Sequence, residues 1–169
     1  MNYAMTHDIG SWLTAVNAFN PRVVTGTTAT DNVEINGNAV DRELVQPGYS
    51  LQHSAKLCIP YNYAFPAAAT LVLTAHVQHS SVSTAGWADT ADKSGSTAIS
   101  VTVGSTGSTA AQTGTGVLSG NYDLSGLKRY IRMQVTPNWS ALTTATEDVD
   151  LAGVFVMAGY DAVPASTSA

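Results

Sequence analysis

Period-two alternation of apolar and polar residues recurs along most of this chain, and it restricts the fold more than any other feature. Val33 and Ile35 alternate with Asn32, Glu34 and Asn36 before the turn signal Asn36-Gly37. Ala55, Leu57 and Ile59 alternate with Ser54, Lys56 and Cys58, and the run is predicted to end at Pro60, which has no N–H for a ladder. Leu71, Leu73, Ala75 and Val77 share one face, with Thr74, His76 and Gln78 on the other. Ile99, Val101 and Val103 repeat the pattern. So do Ile131, Met133 and Val135 as far as Pro137, and Val149, Leu151, Phe155 and Met157, where Gly153 is predicted to mark a bulge.

Weaker runs at Arg22 to Thr28 and Gly116 to Leu124 bring the total to about eight strands, joined by loops longer than a two-residue hairpin. The expectation is an all-β, jelly-roll-like antiparallel sandwich with long Ser/Thr/Gly-rich loops. Its core should include Leu73, Val101, Ile131, Val135, Leu151 and Phe155.

The 169 residues suit one domain, since a chain of that length buries roughly 70% of its unfolded surface. Residues 1–20 depart from the alternation: Ile9, Leu13 and Val16 have helix-like spacing, with Trp12 and Phe19 beside them and Gly10 weakening a helix. They are predicted to be an N-terminal arm or short helix, residues 21–161 the sandwich, and residues 162–169 a flexible tail. From Ser80 to Gly116 the sequence is rich in Ser, Thr, Gly and Ala on both sides of the Ile99 to Val103 strand, which predicts long loops and makes Gly104, Gly107, Gly114 and Gly116 loop glycines.

Charged residues are 11% of the chain, against about 25% in ordinary domains, which leaves large low-charge surfaces of the kind interfaces use. Seven Lys plus Arg oppose twelve Asp plus Glu for a net charge of −5, and there is no basic run, so direct nucleic-acid binding is disfavoured. The single Cys58 excludes an intramolecular disulfide and a cysteine zinc site, and a reducing compartment is the simplest reading. No basic segment followed by an apolar one opens the chain, and no apolar stretch approaches a membrane span, so synthesis in the cytoplasm without membrane insertion is expected.

Chemistry-bearing constellations are sparse. His7, His53, His76 and His79 lack a spacing that would gather a metal, and His76 and His79, three apart, fall on opposite faces of one strand. Glu147, Asp148 and Asp150 are the acidic cluster, without the spaced loop, central glycine and closing glutamate of a calcium site. No phosphate loop and no G-x-S-x-G nucleophile turn is present. The expectation is a protein with no catalytic residue, no cofactor and no metal. Trp12, Phe19, Trp87 and Trp139 lie in or beside predicted arms and loops, where they are either interface anchors or satellite core. Lys128 and Arg132, on the face opposite Ile131 and Met133, are either a rim salt bridge to an acidic neighbour or a solvated strand.

The stretch Gly120 to Met133, G-N-Y-D-L-S-G-L-K-R-Y-I-R-M, followed by Q-V-T-P and by D-V-D-L-A-G-V-F-V-M-A-G-Y-D-A-V-P-A-S, resembles the C-terminal part of tailed-phage capsid cement proteins. The upstream T-D-N-V-E-I-N-G and S-L-Q-H-S-A-K-L-C-I-P are similar in order and spacing. The resemblance covers about two thirds of the chain; residues 1–20 depart from it. It implies a jelly-roll decoration subunit, a homotrimer, bound to the major capsid protein lattice outside the head at threefold and quasi-threefold positions. A phage tail or fibre structural protein and a carbohydrate-binding jelly-roll module are the alternatives.

Overall fold

Along residues 55–59, 71–77 and 149–157 every second residue is buried, as two-residue periodicity requires when one face of a sheet meets a core. The computed structural model describes residues 13–43, 51–140 and 147–159. Among them are ten strands and no helix: β1 (Thr14–Thr25), β2 (Ile35–Asn36), β3 (Val40–Asp41), β4 (Ser54–Phe65), β5 (Thr70–Ser80), β6 (Ala88–Thr90), β7 (Ala98–Gly104), β8 (Gln112–Asp123), β9 (Tyr130–Trp139) and β10 (Asp148–Ala158). They form two antiparallel sheets. The first has the order β1-β10-β4-β8; the second has the order β2-β9-β5-β6, with β3 also on β9 and β7 also on β5.

Because β2 and β3 pair with one side of β9, and β6 and β7 with one side of β5, each pair occupies a single strand position. The second sheet is thus also four strands wide. The chain passes from one sheet to the other at nearly every connection, giving the eight-position jelly roll. Between the sheets, Leu57, Ile59, Leu71, Leu73, Val77, Ile131, Met133, Val135, Val149, Leu151, Phe155 and Met157 form the core. Val101 is half-buried at its margin, and Val103, farther along β7, is the buried one.

Several boundaries differ from expectation. Residues 14–20, read as part of an arm or helix, form the first half of β1, because pairing with β10 satisfies their backbone along the sheet edge. The register of β1 slips between Asn17 and Phe19 and again between Phe19 and Arg22, so the predicted bulge lies in β1, opposite Gly153. A Cβ on Gly153 would strike Met133 Sδ and come within 2.8 Å of Phe19 Cβ, and the missing side chain is what admits Phe19 to the core.

Neither Pro60 nor Pro137 ends its strand. Pro60 stays paired with β8, while toward β10 the ladder skips from Tyr61 to Cys58 without changing register. The carbonyl of Pro137 accepts the Asn32 N–H at 2.8 Å, on the side where β2 has already ended, so no sheet donor is missed there. Gly114 and Gly116 are strand residues, not loop residues. They face Tyr63 and Tyr61 across β4 and β8, and a Cβ on Gly114 would come within 2.7 Å of the Tyr63 ring. The tail at 162–169 lies outside the described residues.

Tyr122, on the inner face of β8, is fully buried, and its hydroxyl has no hydrogen-bond partner among the described residues. Burial first, and then the nearby Asp92 carboxylate, push its pKa from 10.0 up to about 12. A raised pKa means that the unfolded state releases the proton first. Stability is therefore complete below pH 10 and falls as pH rises toward 12, by about 2–3 kcal/mol for a shift of this size. We expect Tyr122→Phe to abolish that share of the alkaline loss. Urea midpoints for both proteins, measured from pH 8 upward, test this; equally steep declines would show that Tyr122 is not the group responsible.

Candidate interaction surfaces

The two outward faces of the sandwich differ in chemistry, and the difference begins in the strands. On the first sheet, the outward positions of β10 include Ala152, Val154, Val156 and Ala158; those of β4 include Cys58, Pro60 and Ala64; and β8 contributes Val117. Val23 and Val117 are 58% and 60% exposed. With Pro21, Arg22, Pro60, Asp150 and Ala152 they line a shallow concavity, within which Asn62 donates to Asp150 Oδ2 at 3.3 Å. This face is mainly apolar and small-featured, with Lys56, Asp148 and Asp150 among its outward positions. Nothing in it resembles the convergent polar groups of a reaction site.

The second sheet presents a connected polar face. The Arg132 guanidinium lies 4.4 Å from the centre of the Trp87 ring and donates through Nε to Gln78 Oε1 at 2.9 Å. Gln78 in turn donates to Asp89 Oδ1 at 2.8 Å. Farther along, Gln134 donates to Glu34 Oε2 and Asn36 Oδ1, each at 3.0 Å. Partial burial disfavours the Arg132 charge, and Glu34 works the other way.

Of the six predicted anchors, the fold brings together Trp87 and Arg132. Phe19 and Trp139 are not in an arm or a loop: both are buried in strands, and Trp139 meets Phe65 edge-on with ring centres 5.5 Å apart. The reason is local: the β1 bulge turns Phe19 inward, and β9 continues past Pro137. Lys128 is exposed just before β9, and its backbone N–H donates to His79 Nδ1 at 3.2 Å. Burial, and then the charges of Lys128 and Arg42, lower the His79 pKa, which keeps that nitrogen an acceptor. Trp12 lies outside the described residues. The ion pair of the basic segment is made by Arg129, bidentate to Asp41 at 2.9 and 2.6 Å and bonded to Glu43 at 2.6 Å.

The acidic cluster divides. Glu147 is buried, Asp148 accepts from Thr25 Oγ1 at 2.6 Å, and Asp150 faces outward to Asn62. Among the described residues no group of His, Cys, Asp and Glu is placed to hold a metal. Sequence reading missed the apolar outer face of the first sheet. Its signal was present in β10, where Ala152, Val154 and Val156, three of the four positions between the core residues, are apolar and Asp150 is the fourth.

No protein-family model and no curated protein matches the chain. Among solved structures it is similar to that of infectious bursal disease virus Gt strain, at 11% identity and TM-score 0.44 over 88% of this chain and 33% of the other. For the Gx strain the identity is 10% and the TM-score 0.46, over 88% and 32%. The VP2 subviral particle of the same virus gives 10% and 0.41, also over 88% and 32%. The chain spans about a third of the length of the solved structures it matches.

Proposed function

We propose that this chain is a structural virion protein: a capsid cement subunit that seats on the outside of a phage head and performs no reaction. The observation that carries the reading is the outer face of the first sheet, where exposed Val23 and Val117 border a mainly apolar concavity, with Arg22 and Asp150 in its lining, suited to covering by another protein surface. The jelly roll is an architecture that capsid and lectin domains share. A lectin needs an open aromatic platform, whereas Trp87 is already stacked by Arg132. The motif resemblance through β8, β9 and β10 favours the cement role. In that role the partner is the major capsid protein lattice, and the subunits sit as homotrimers at threefold and quasi-threefold positions.

A trimer that touches several capsid subunits combines weak contacts into one multivalent attachment. Binding the assembled lattice alone also stabilises it by mass action. Heads lacking the protein should therefore take it up and retain their DNA to a higher temperature than undecorated heads. No uptake, or uptake with unchanged retention, overturns the reading, and a location confined to tails replaces it with a tail role.

A further inference from the structure

Strand β8 ends the first sheet, and its outer edge is open from Thr113 to Ser119, beyond which Asp92 bridges Tyr122. The other edge positions of the sandwich are interrupted: β1 slips register twice and contains Pro21, β2 with β3 is broken, and so is β6 with β7. By contrast β8 pairs with β4 over twelve consecutive residues without a slip, and from Gln112 to Asn121 it contains neither a charge nor a proline. Those are the devices that keep a free edge from adding another strand.

The direction of the free groups follows from one hydrogen bond. The Asn121 carbonyl accepts the Lys93 N–H at 2.8 Å, so the backbone polar groups of Asn121 point away from β4. Alternate residues of an antiparallel strand point the same way. The N–H and C=O groups of Thr113, Thr115, Val117 and Ser119 therefore also face outward, where no strand among the described residues meets them. The side chains of these four residues are exposed too.

We propose that β8 pairs antiparallel with β8 of a second copy across a twofold axis through Val117, joining the two first sheets into one continuous sheet. The sequence around Val117 suits such self-pairing because it reads nearly alike in both directions. Thr115 falls opposite Ser119, Gly114 opposite Gly120 and Gly116 opposite Leu118, and the pairing stops short of Asn121, whose carbonyl is held by Lys93. Each outward-facing pair exchanges two N–H···O bonds, and hydroxyl pairs of the Thr–Ser kind are favourable across strands. Like charges do not meet, since residues 112 to 121 carry none. Self-complementarity is what an isologous contact demands and a foreign strand does not. The contact goes beyond the capsid role; on a lattice it would join neighbouring threefold clusters.

At a twofold axis a residue faces its own copy, and this supplies the test. Sedimentation of the free chain at high micromolar concentration should give twice the chain mass. V117K and V117E should each sediment as single chains with an unchanged circular dichroism spectrum, because position 117 is exposed and like charges then oppose each other. An equimolar mixture of the two should recover the paired species. A single-chain wild type, a V117K that keeps the wild-type mass, or a mixture that stays unpaired overturns the proposal. Because Val117 also borders the proposed capsid face, the capsid reading is tested with wild-type chain on heads and this contact by the mass of the free chain, so either can fail alone.

Discussion

Arg42→Ala should cost the protein about 2–4 kcal/mol, since charged donors are lost from several backbone carbonyls at about 1–3 kcal/mol for a buried group left unmet. Arg42 is 2% exposed, directly after β3. Its Nε donates to the Gln52 carbonyl at 3.1 Å, and Nη2 donates to the same carbonyl and to that of Leu124 at 2.9 Å. Nη1 reaches the carbonyls of Leu127 at 2.9 Å and Lys128 at 3.0 Å. One planar fork thus holds together the end of β3, the approach to β4 and the β8 to β9 connection.

Truncation takes the donor from the buried Gln52 carbonyl, which costs more than the bond gave, while the Leu124 carbonyl keeps the Leu127 N–H. Lys, with three donors on a compact ammonium, cannot reproduce the fork, so Arg42→Lys should recover only a minor part of the loss. Urea unfolding of the three proteins measures this. Since whole domains are stable by about 5–15 kcal/mol, Arg42→Ala should lose a large share of its stability. A loss below about 1 kcal/mol, the worth of a single ordinary hydrogen bond, would refute the anchoring role.

Phe155→Ala is expected to cost a similar amount, about 3–5 kcal/mol, through lost burial and the cavity left behind. Phe155 is fully buried in β10, with Leu57 of β4 on one side and Val16 of β1 on the other in register. Its neighbour Val154 points to the opposite face, so Val154→Ala should change stability by about 0.5 kcal/mol or less. Thermal or urea unfolding of the pair tests the alternation itself: comparable losses at both positions would mean that β10 does not present one face to the core.

The neighbouring sequence carried that alternation plainly. Leu71, Leu73, Ala75 and Val77 occupy one face of β5, and Ile131, Met133 and Val135 one face of β9, as their spacing predicts. The errors arose where a residue type was judged without its neighbour. Pro60 and Pro137 looked like strand ends, and Gly114 and Gly116 looked like loop. Phe19 and Trp139, expected as either interface anchors or satellite core, looked like arm or loop residues. Each judgement was reasonable for an isolated residue, and each was reversed by what lies opposite: a ladder that has already ended, a tyrosine ring, a glycine that leaves room.

What the sequence determined by itself is the set of inward-facing residues and the all-β class, because strand periodicity is a local property of the backbone and needs no knowledge of partners. Tertiary structure alone decided strand order, the merging of β2 with β3 and β6 with β7 into single positions, the burial of Arg42 among distant carbonyls, and which strand is left at the sheet edge. Those outcomes depend on contacts between residues far apart in the chain, such as Arg42 with Leu124 and Lys128. Pairings at that separation leave no periodic trace in a sequence, since either partner alone looks like an ordinary polar or loop residue.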